Sequence, residues 1–251
     1  MKKVSIIFLW SIVLGLSVLP LDLPAQEYLA TTRWVAAIAE CAGLPHVENF
    51  APSGMTHPPE YELKPTDIAA FSKAQAVFFA GYEGRMVAKI QEALKGGANF
   101  KAVQVVTENS LQNLKSEAER IAVMFGTVPV CTKNIAELDQ TTESIRDALK
   151  AKGLFGANAY VHVHQVPFAQ TLGFTIAGTF GPAPVSAEQI RQAAELKPAI
   201  IIDNYHNMVG KPLLEVSKTS LYVAFLNFPG LFQTESILDV FRYNAKQLLG
   251  R

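Results

Sequence analysis

Short apolar runs alternate along most of the chain with stretches of helical period, and this alternation constrains the fold more than any other feature. Residues 28–31 read as extended, and residues 34–41 as a helix stopped by Gly43 and Pro45. Residues 47–51 are extended again and lead into a proline-rich loop, APSGMTHPPEYELKPTD. Thr66 is placed to cap a helix over DIAAFSKA, after which AVFFA at 76–80 reads as a buried strand. The helix MVAKIQEALK ends at Gly96 and Gly97, and residues 100–106 form a further strand. The next helix keeps Leu111, Leu114, Ala118, Ile121 and Phe125 on one stripe, the spacing that lets a helix cover a sheet. Strand and helix in such regular turn predict an α/β lobe with a mostly parallel sheet.

The run ELDQTTESIRDALKAKG at 137–153 differs, because Leu138, Ile145 and Leu149 are its main apolar points. A helix this polar can join two bodies without being buried in either. The alternation then restarts. AYVHVHQV is extended, FAQTLG helical, FTIAGTF extended, and SAEQIRQAAEL helical with Ser186 as cap and Glu188 close behind; AIIIDN, LLEVSKT, SLYVAFLN and ESILDVFRYNAKQLL complete it. The expected organisation is an N-terminal α/β lobe over 26–135, a linking helix over 136–154 and a C-terminal α/β lobe over 155–251, with a ligand cleft between two similar lobes. No glycine pattern that would cradle a phosphate is present.

Of the 251 residues, 49% are hydrophobic, and 22 basic side chains balance 22 acidic ones. Zero net charge with no Lys/Arg run argues against nucleic acid as a partner, since phosphate neutralisation needs concentrated positive charge. The N-terminus, MKK followed by VSIIFLWSIVLGLSVLPL and DLPAQ, has the form of a secretory signal peptide over residues 1–25. Cleavage before Gln26 is expected because Pro20 and Pro24 break the helix there; an uncleaved anchor is the alternative, the apolar run being nearly long enough to span. No cysteine closely follows the run, so a lipid-modified N-terminus is not indicated, and export to a periplasm is expected. Cys41 and Cys131 are an even pair in an exported chain, which leaves a disulfide between them open.

Five histidines remain to be placed: His46, His57, His162, His164 and His206. His46 reads as an exposed turn residue. His57 follows the second strand, His162 and His164 lie near the end of the first strand of the second half, and His206 lies just beyond AIIIDN. In open α/β sheets ligands bind outside the carboxyl ends of the strands, so these four would converge. On a strand, positions i and i+2 share a side about 6.5 to 7 Å apart, close enough for His162 and His164 to lean toward one ion. The alternative is a half-exposed strand face carrying two ordinary imidazoles.

The segment ENFAPSGMTHPPEYELKPTDIAAFSKAQAVFFAGYEG resembles the first lobe of the zinc- and manganese-type (cluster A-I) solute-binding proteins of metal ABC importers. The family's turn, histidine, tyrosine, Pro-Ser/Thr-Asp helix start and buried strand correspond to Pro52-Ser53-Gly54, His57, Tyr61, Pro65-Thr66-Asp67 and residues 74–79. VHVHQVPFAQTLGF resembles a stretch of the second lobe, and counting back from Gly173 puts the family's ligand histidine on His162. AIIIDN and FLNFPGLFQTESILDVFRYNAKQLL resemble its next strand and its closing segment, so the likeness runs over almost the whole chain after the leader. It implies two lobes on a linking helix, capture of a divalent ion and delivery to a membrane permease, by a monomer that is not an enzyme.

The departures from that pattern imply a remodelled site. The family's second ligand histidine is missing from QVVTENSLQ, its fourth ligand, often an aspartate, corresponds to Asn227, and the loop at His57 is lengthened by Pro58, Pro59 and Glu60. The histidine-rich acidic loop of many zinc-type members is absent, whereas His164 and His206 are additions. A set of His57, His162, His164 and His206 is rich in nitrogen, which favours zinc, with manganese, iron, nickel and copper as alternatives, manganese being the one that prefers carboxylates. Glu60, Glu108 and Asp203 are neighbouring carboxylates, each with an ordinary structural alternative. Two other readings are a binding protein for a chelated metal or small organic ligand, in a cleft lined by Tyr61, Tyr205 and Phe228, and a secreted zinc hydrolase. The hydrolase lacks an HExxH motif and an evident general base.

Overall fold

A computed structural model describes residues 27–52, 61–62, 64–93 and 100–250. The leader at 1–25, His57 and Glu60 lie outside these described residues.

Two four-stranded parallel sheets carry the fold. The first holds β1 (Glu27–Ala30), β2 (Val47–Asn49), β3 (Ala74–Ala80) and β4 (Lys101–Val105), in the order β2-β1-β3-β4. The second holds β5 (Asn158–His162), β6 (Thr175–Phe180), β7 (Ile200–Asn204) and β8 (Leu221–Phe225), in the equivalent order β6-β5-β7-β8. The two α/β lobes expected from the alternation are therefore present, with one topology used twice. Central strands covered on both faces are apolar throughout. Ala76, Val77 and Phe78 of β3 are fully buried, as are Ile200, Ile201 and Ile202 of β7.

The helices of the first lobe are α1 (Arg33–Cys41), α2 (Pro65–Phe71), α3 (Gly84–Ala93) and α4 (Leu111–Phe125). In α4, Leu114, Ala118 and Ile121 are buried, while Ser110 caps its start and Gly126, with φ of 74°, ends it. Residue 66 does not cap α2 as expected. Lys64 takes the cap position and the helix starts two residues earlier than expected, at Pro65, whose fixed φ suits the first helical position, while Asp67 reaches back to the Lys64 amide at 2.7 Å. The second lobe contributes α6 (Val166–Leu172), α7 (Ala187–Leu196) and α8 (Ile237–Leu249). Ser186 caps α7 as expected, in a box closed by Gln189.

Between the sheets runs α5 (Val128–Ala151), 24 residues or about 36 Å long. It buries Cys131, Ile135, Leu138, Thr142, Ile145 and Leu149, a single stripe beneath a mostly polar surface. The stripe enters an apolar cluster that includes Ala30 and Phe78 from one sheet and Val161 and Ile202 from the other. Contrary to the reading of a bridge buried in neither body, α5 shares a core with both. Among the described residues no helix is long and apolar enough to cross a membrane.

Candidate ligand site between the lobes

In the strand order found here, connections leave β1 and β3 in opposite directions, and likewise β5 and β7, so a crevice opens at the carboxyl ends of each pair. Thr31, Thr32 and Glu83 stand at the first of these ends, and His162, Asp203 and His206 at the second.

Glu83 is 3% exposed. Its Oε2 accepts a hydrogen bond from the Thr31 hydroxyl and another from the Ala80 amide at 2.9 Å, while Oε1 is buried with no hydrogen-bond partner. Burial raises its pKa above the usual carboxylate range, and the Thr31 and Ala80 bonds oppose that shift. Sequence reasoning passed over this residue, although its place in AGYEG, directly after a buried strand, was a usable signal.

His162 is wholly buried at the last position of β5. The strand ends there: Val163–Gln165 form a 3-10 turn leading into α6, so His162 and His164 do not share a strand face as expected. In this turn the His164 amide donates to His162 Nδ1 at 3.2 Å, which places the proton of the neutral ring on Nε2. That Nε2 has no hydrogen-bond partner. It faces Gly181, where a Cβ would come within 2.4 Å of it, and the ring meets Phe180 edge-on at 5.7 Å. Burial, then the neighbouring His164, lowers the His162 pKa to about 4 against an opposing pull from Asp203. Asp203 is fixed by the amides of Asn204 and Gly210, each at 2.8 Å, and by the Tyr222 hydroxyl at 2.6 Å. His164 is exposed, with its ring centroid 5.2 Å from that of His162.

His206 follows β7, with its amide bonded to Asn204 Oδ1 at 3.2 Å. Its ring stacks on Phe228 at 3.9 Å, and Phe228 stacks on Trp34 of the first lobe at 5.5 Å. Tyr205 also meets the His206 ring edge-on, Phe232 packs against Tyr205 at 4.9 Å, and Tyr243 stacks on Phe232 at 5.0 Å. The result is a chain of six rings from the surface, where Phe232 is 50% exposed, to the lobe boundary. Both His206 ring nitrogens and Trp34 Nε1 are buried without hydrogen-bond partners. Burial lowers the His206 pKa to about 4.

Polar contacts close the boundary beside this chain. Asn109 donates to the Asn227 carbonyl at 2.7 Å, and Gln165 donates to Asn227 Oδ1 and to the Phe225 carbonyl. Position 227, where the resemblance puts a ligand, thus has its side-chain oxygen already engaged. The gap lined by Trp34, Asn109, Leu114, Phe168 and Asn227 holds about 10 Å³, the lower limit for one water. Glu108 is exposed and accepts from Ser110 at 2.5 Å, an ordinary contact at a helix start. Tyr61 packs on Phe50 and donates to Asp67 at 2.9 Å, whereas Tyr205 and Phe228 belong to the ring chain. His46 is exposed, as expected. Among the described residues no three His, Cys, Asp or Glu side chains gather closely enough to hold a metal ion.

No family model matches the sequence, and no curated protein matches it. The fold is that of several solved metal-binding proteins. The laminin binding protein (Lmb) of Streptococcus agalactiae, a bifunctional protein with adhesin and metal transporting activity, is 12% identical with a TM-score of 0.65, over 89% of this chain and 98% of that one. A periplasmic metal binding protein from Candidatus Liberibacter asiaticus is 14% identical, TM-score 0.62, over 89% and 98%. The SBP FpvC of P. aeruginosa, solved with a Ni2+ ion, is 13% identical, TM-score 0.61, over 89% and 96%. At these identities the likeness is one of fold.

Proposed function

We propose that this chain is a periplasmic binding protein that captures a divalent transition metal ion between its lobes, zinc before manganese, iron, nickel or copper, and delivers it as a monomer to the permease of an ABC importer. The observation that carries the reading is the pair of imidazoles, His162 and His206, at the ends of β5 and β7, three of whose ring nitrogens are buried without hydrogen-bond partners. Buried polar atoms are almost always paired, so orphans at a ligand-binding edge mark a place where a partner belongs. Depressed pKa values keep both rings neutral, the form that coordinates a metal. The shared fold with metal-binding proteins supports the same reading.

Capture requires movement. His162 must shift its proton from Nε2 to Nδ1, giving up the bond from the His164 amide, or turn its ring, and His206 must leave Phe228. His57 from the first lobe and the exposed His164 complete the proposed set. The work is binding and hand-over, and no catalytic step is assigned. Elemental analysis of protein purified without chelators, with calorimetric titration by zinc, tests the reading: one equivalent is expected for the wild type and a much weaker signal for His57→Ala and His162→Ala. Unchanged metal content in both variants overturns the site, and no zinc uptake at neutral pH overturns the function.

A second reading is favoured by the ring chain, whose partly exposed Phe232 and Tyr205 suit a planar chelate or small organic ligand better than a bare ion. A zinc chelate of an aromatic ligand binding more tightly than zinc alone would select it.

A further inference from the structure

Cys41 and Cys131 have no part in the ligand site, and both are thiols in this structure. Cys41 closes α1, and Cys131 lies in the first turns of α5. Thr127, just ahead of α5, Cys131 and Asn134 are spaced at i, i+4 and i+7, which puts them on one stripe of that helix. The outer two hold the backbone at the end of α1. The Thr127 hydroxyl donates to the Ala42 carbonyl at 2.5 Å, and the Asn134 amide donates to the Cys41 carbonyl at 3.1 Å. Cys131 therefore stands between two anchors whose acceptors are Cys41 itself and the residue after it. The approach is close: Gly43 has φ of +92°, and a Cβ there would come within 2.8 Å of the Val130 Cβ. Both cysteines pack in one apolar cluster, Cys131 buried and Cys41 partly so. Cys41 also lines a cavity of about 240 Å³ with Ala37, Asn134 and Leu138, which gives its sulfur room to turn and a reagent room to enter.

We infer that Cys41 and Cys131 are a disulfide pair that ties α1 to α5 when the chain is exposed to an external disulfide as oxidant. In the first step the Cys41 thiolate attacks the external disulfide, forming a mixed disulfide and releasing one thiolate of the donor. Cys131, deprotonated in turn, attacks the Cys41 sulfur; the second donor thiolate leaves as the Cys41–Cys131 bond forms. The pair loses two protons and two electrons, and the donor disulfide becomes two thiols. Burial, with a smaller contribution from Cys131, pushes the Cys41 thiol up to about 12, and burial also raises Cys131. Thiolate is then scarce in the folded protein at neutral pH, so closure is fast during folding and slow afterwards, rising with pH.

Refolding the full chain with oxidised glutathione, followed by non-reducing digestion and mass spectrometry, tests the pair. One linked peptide containing Cys41 and Cys131 is expected, lighter than the two free peptides by two hydrogens, with no thiol left to titrate in denaturant. The Cys131→Ser variant should instead retain glutathione on Cys41. Oxidised wild type should unfold at higher denaturant concentration than the reduced protein. Two titratable thiols, a glutathione adduct persisting on wild-type Cys41, dimers linked through either cysteine, or identical unfolding midpoints would each overturn the inference.

Discussion

The imidazole of His206 lies on the ring of Phe228 with centroids 3.9 Å apart and planes inclined by 22°, and neither of its nitrogens has a hydrogen-bond partner. Packing alone would be served as well by an apolar ring, which carries no buried polar atoms to leave unsatisfied. His206→Phe is therefore expected to keep the stack and to raise stability by about 1 kcal/mol, the lower end of the cost of a buried unpaired polar group. Zinc content should fall at the same time. Chemical denaturation and elemental analysis on the same preparation check both; a destabilised variant that still holds metal would show that the imidazole serves the fold and not the ligand.

Stability should depend on pH through His162 and His206. Both pKa values fall from 6.5 to about 4 on folding, so the folded chain binds fewer protons than the unfolded chain between those limits. Stability is then full above about pH 6.5, declines as the pH falls toward 4 and levels off below. Denaturation midpoints measured from pH 7.5 to 4 read this, and in His206→Phe the decline should be shallower. A midpoint rising as the pH falls through this window would contradict the burial of neutral imidazoles.

Glu83 offers a contrast between removing a charge and removing an acceptor. Glu83→Gln can still accept from Thr31 and Ala80 while its amide nitrogen takes the place of the unpaired Oε1, so little or no loss is expected. Glu83→Ala strands both donors and should cost about 1–3 kcal/mol per donor left unpaired. Thermal denaturation of the two variants distinguishes them, and equal losses would mean that the carboxylate charge itself is needed.

Gly181 packs directly against the His162 ring. An alanine there would adopt φ of +76°, at about 1–2 kcal/mol for an L residue, and its Cβ would collide with His162 Nε2. The steric part of the loss should disappear in a His162→Ala background, so the double-mutant cycle should show clear coupling. Additive losses would mean that ring and glycine are not in contact.

Much of the architecture was legible because the signals are local. The stripe of α4, the Ser186 cap and the buried strands AVFFA and AIIID follow from periodicity, capping chemistry and apolar runs that need no knowledge of what lies opposite. That His162 lies near a strand end was legible too, although the extended reading ran on through residue 166 and β5 stops at His162. The strand reading of HVH failed beyond His162 because alternation with valine is equally compatible with the 3-10 turn at 163–165. Likewise the polar surface of residues 137–153 concealed the narrow stripe of α5, which needs helices from both lobes to bury it.

The chain by itself determined that there would be two α/β lobes, which segments would be strands, and that imidazoles would sit near strand ends, because each of these depends on neighbours within a few turns. Tertiary structure decided which strands lie side by side and so where the crevices open. It also stacked both Trp34 and His206 on Phe228 and left Glu83 and His162 buried with unpaired atoms. Those outcomes depend on contacts between separate elements, 52 positions apart for Thr31 and Glu83 and 194 for Trp34 and Phe228. Periodicity and spacing along a sequence carry no record of such contacts.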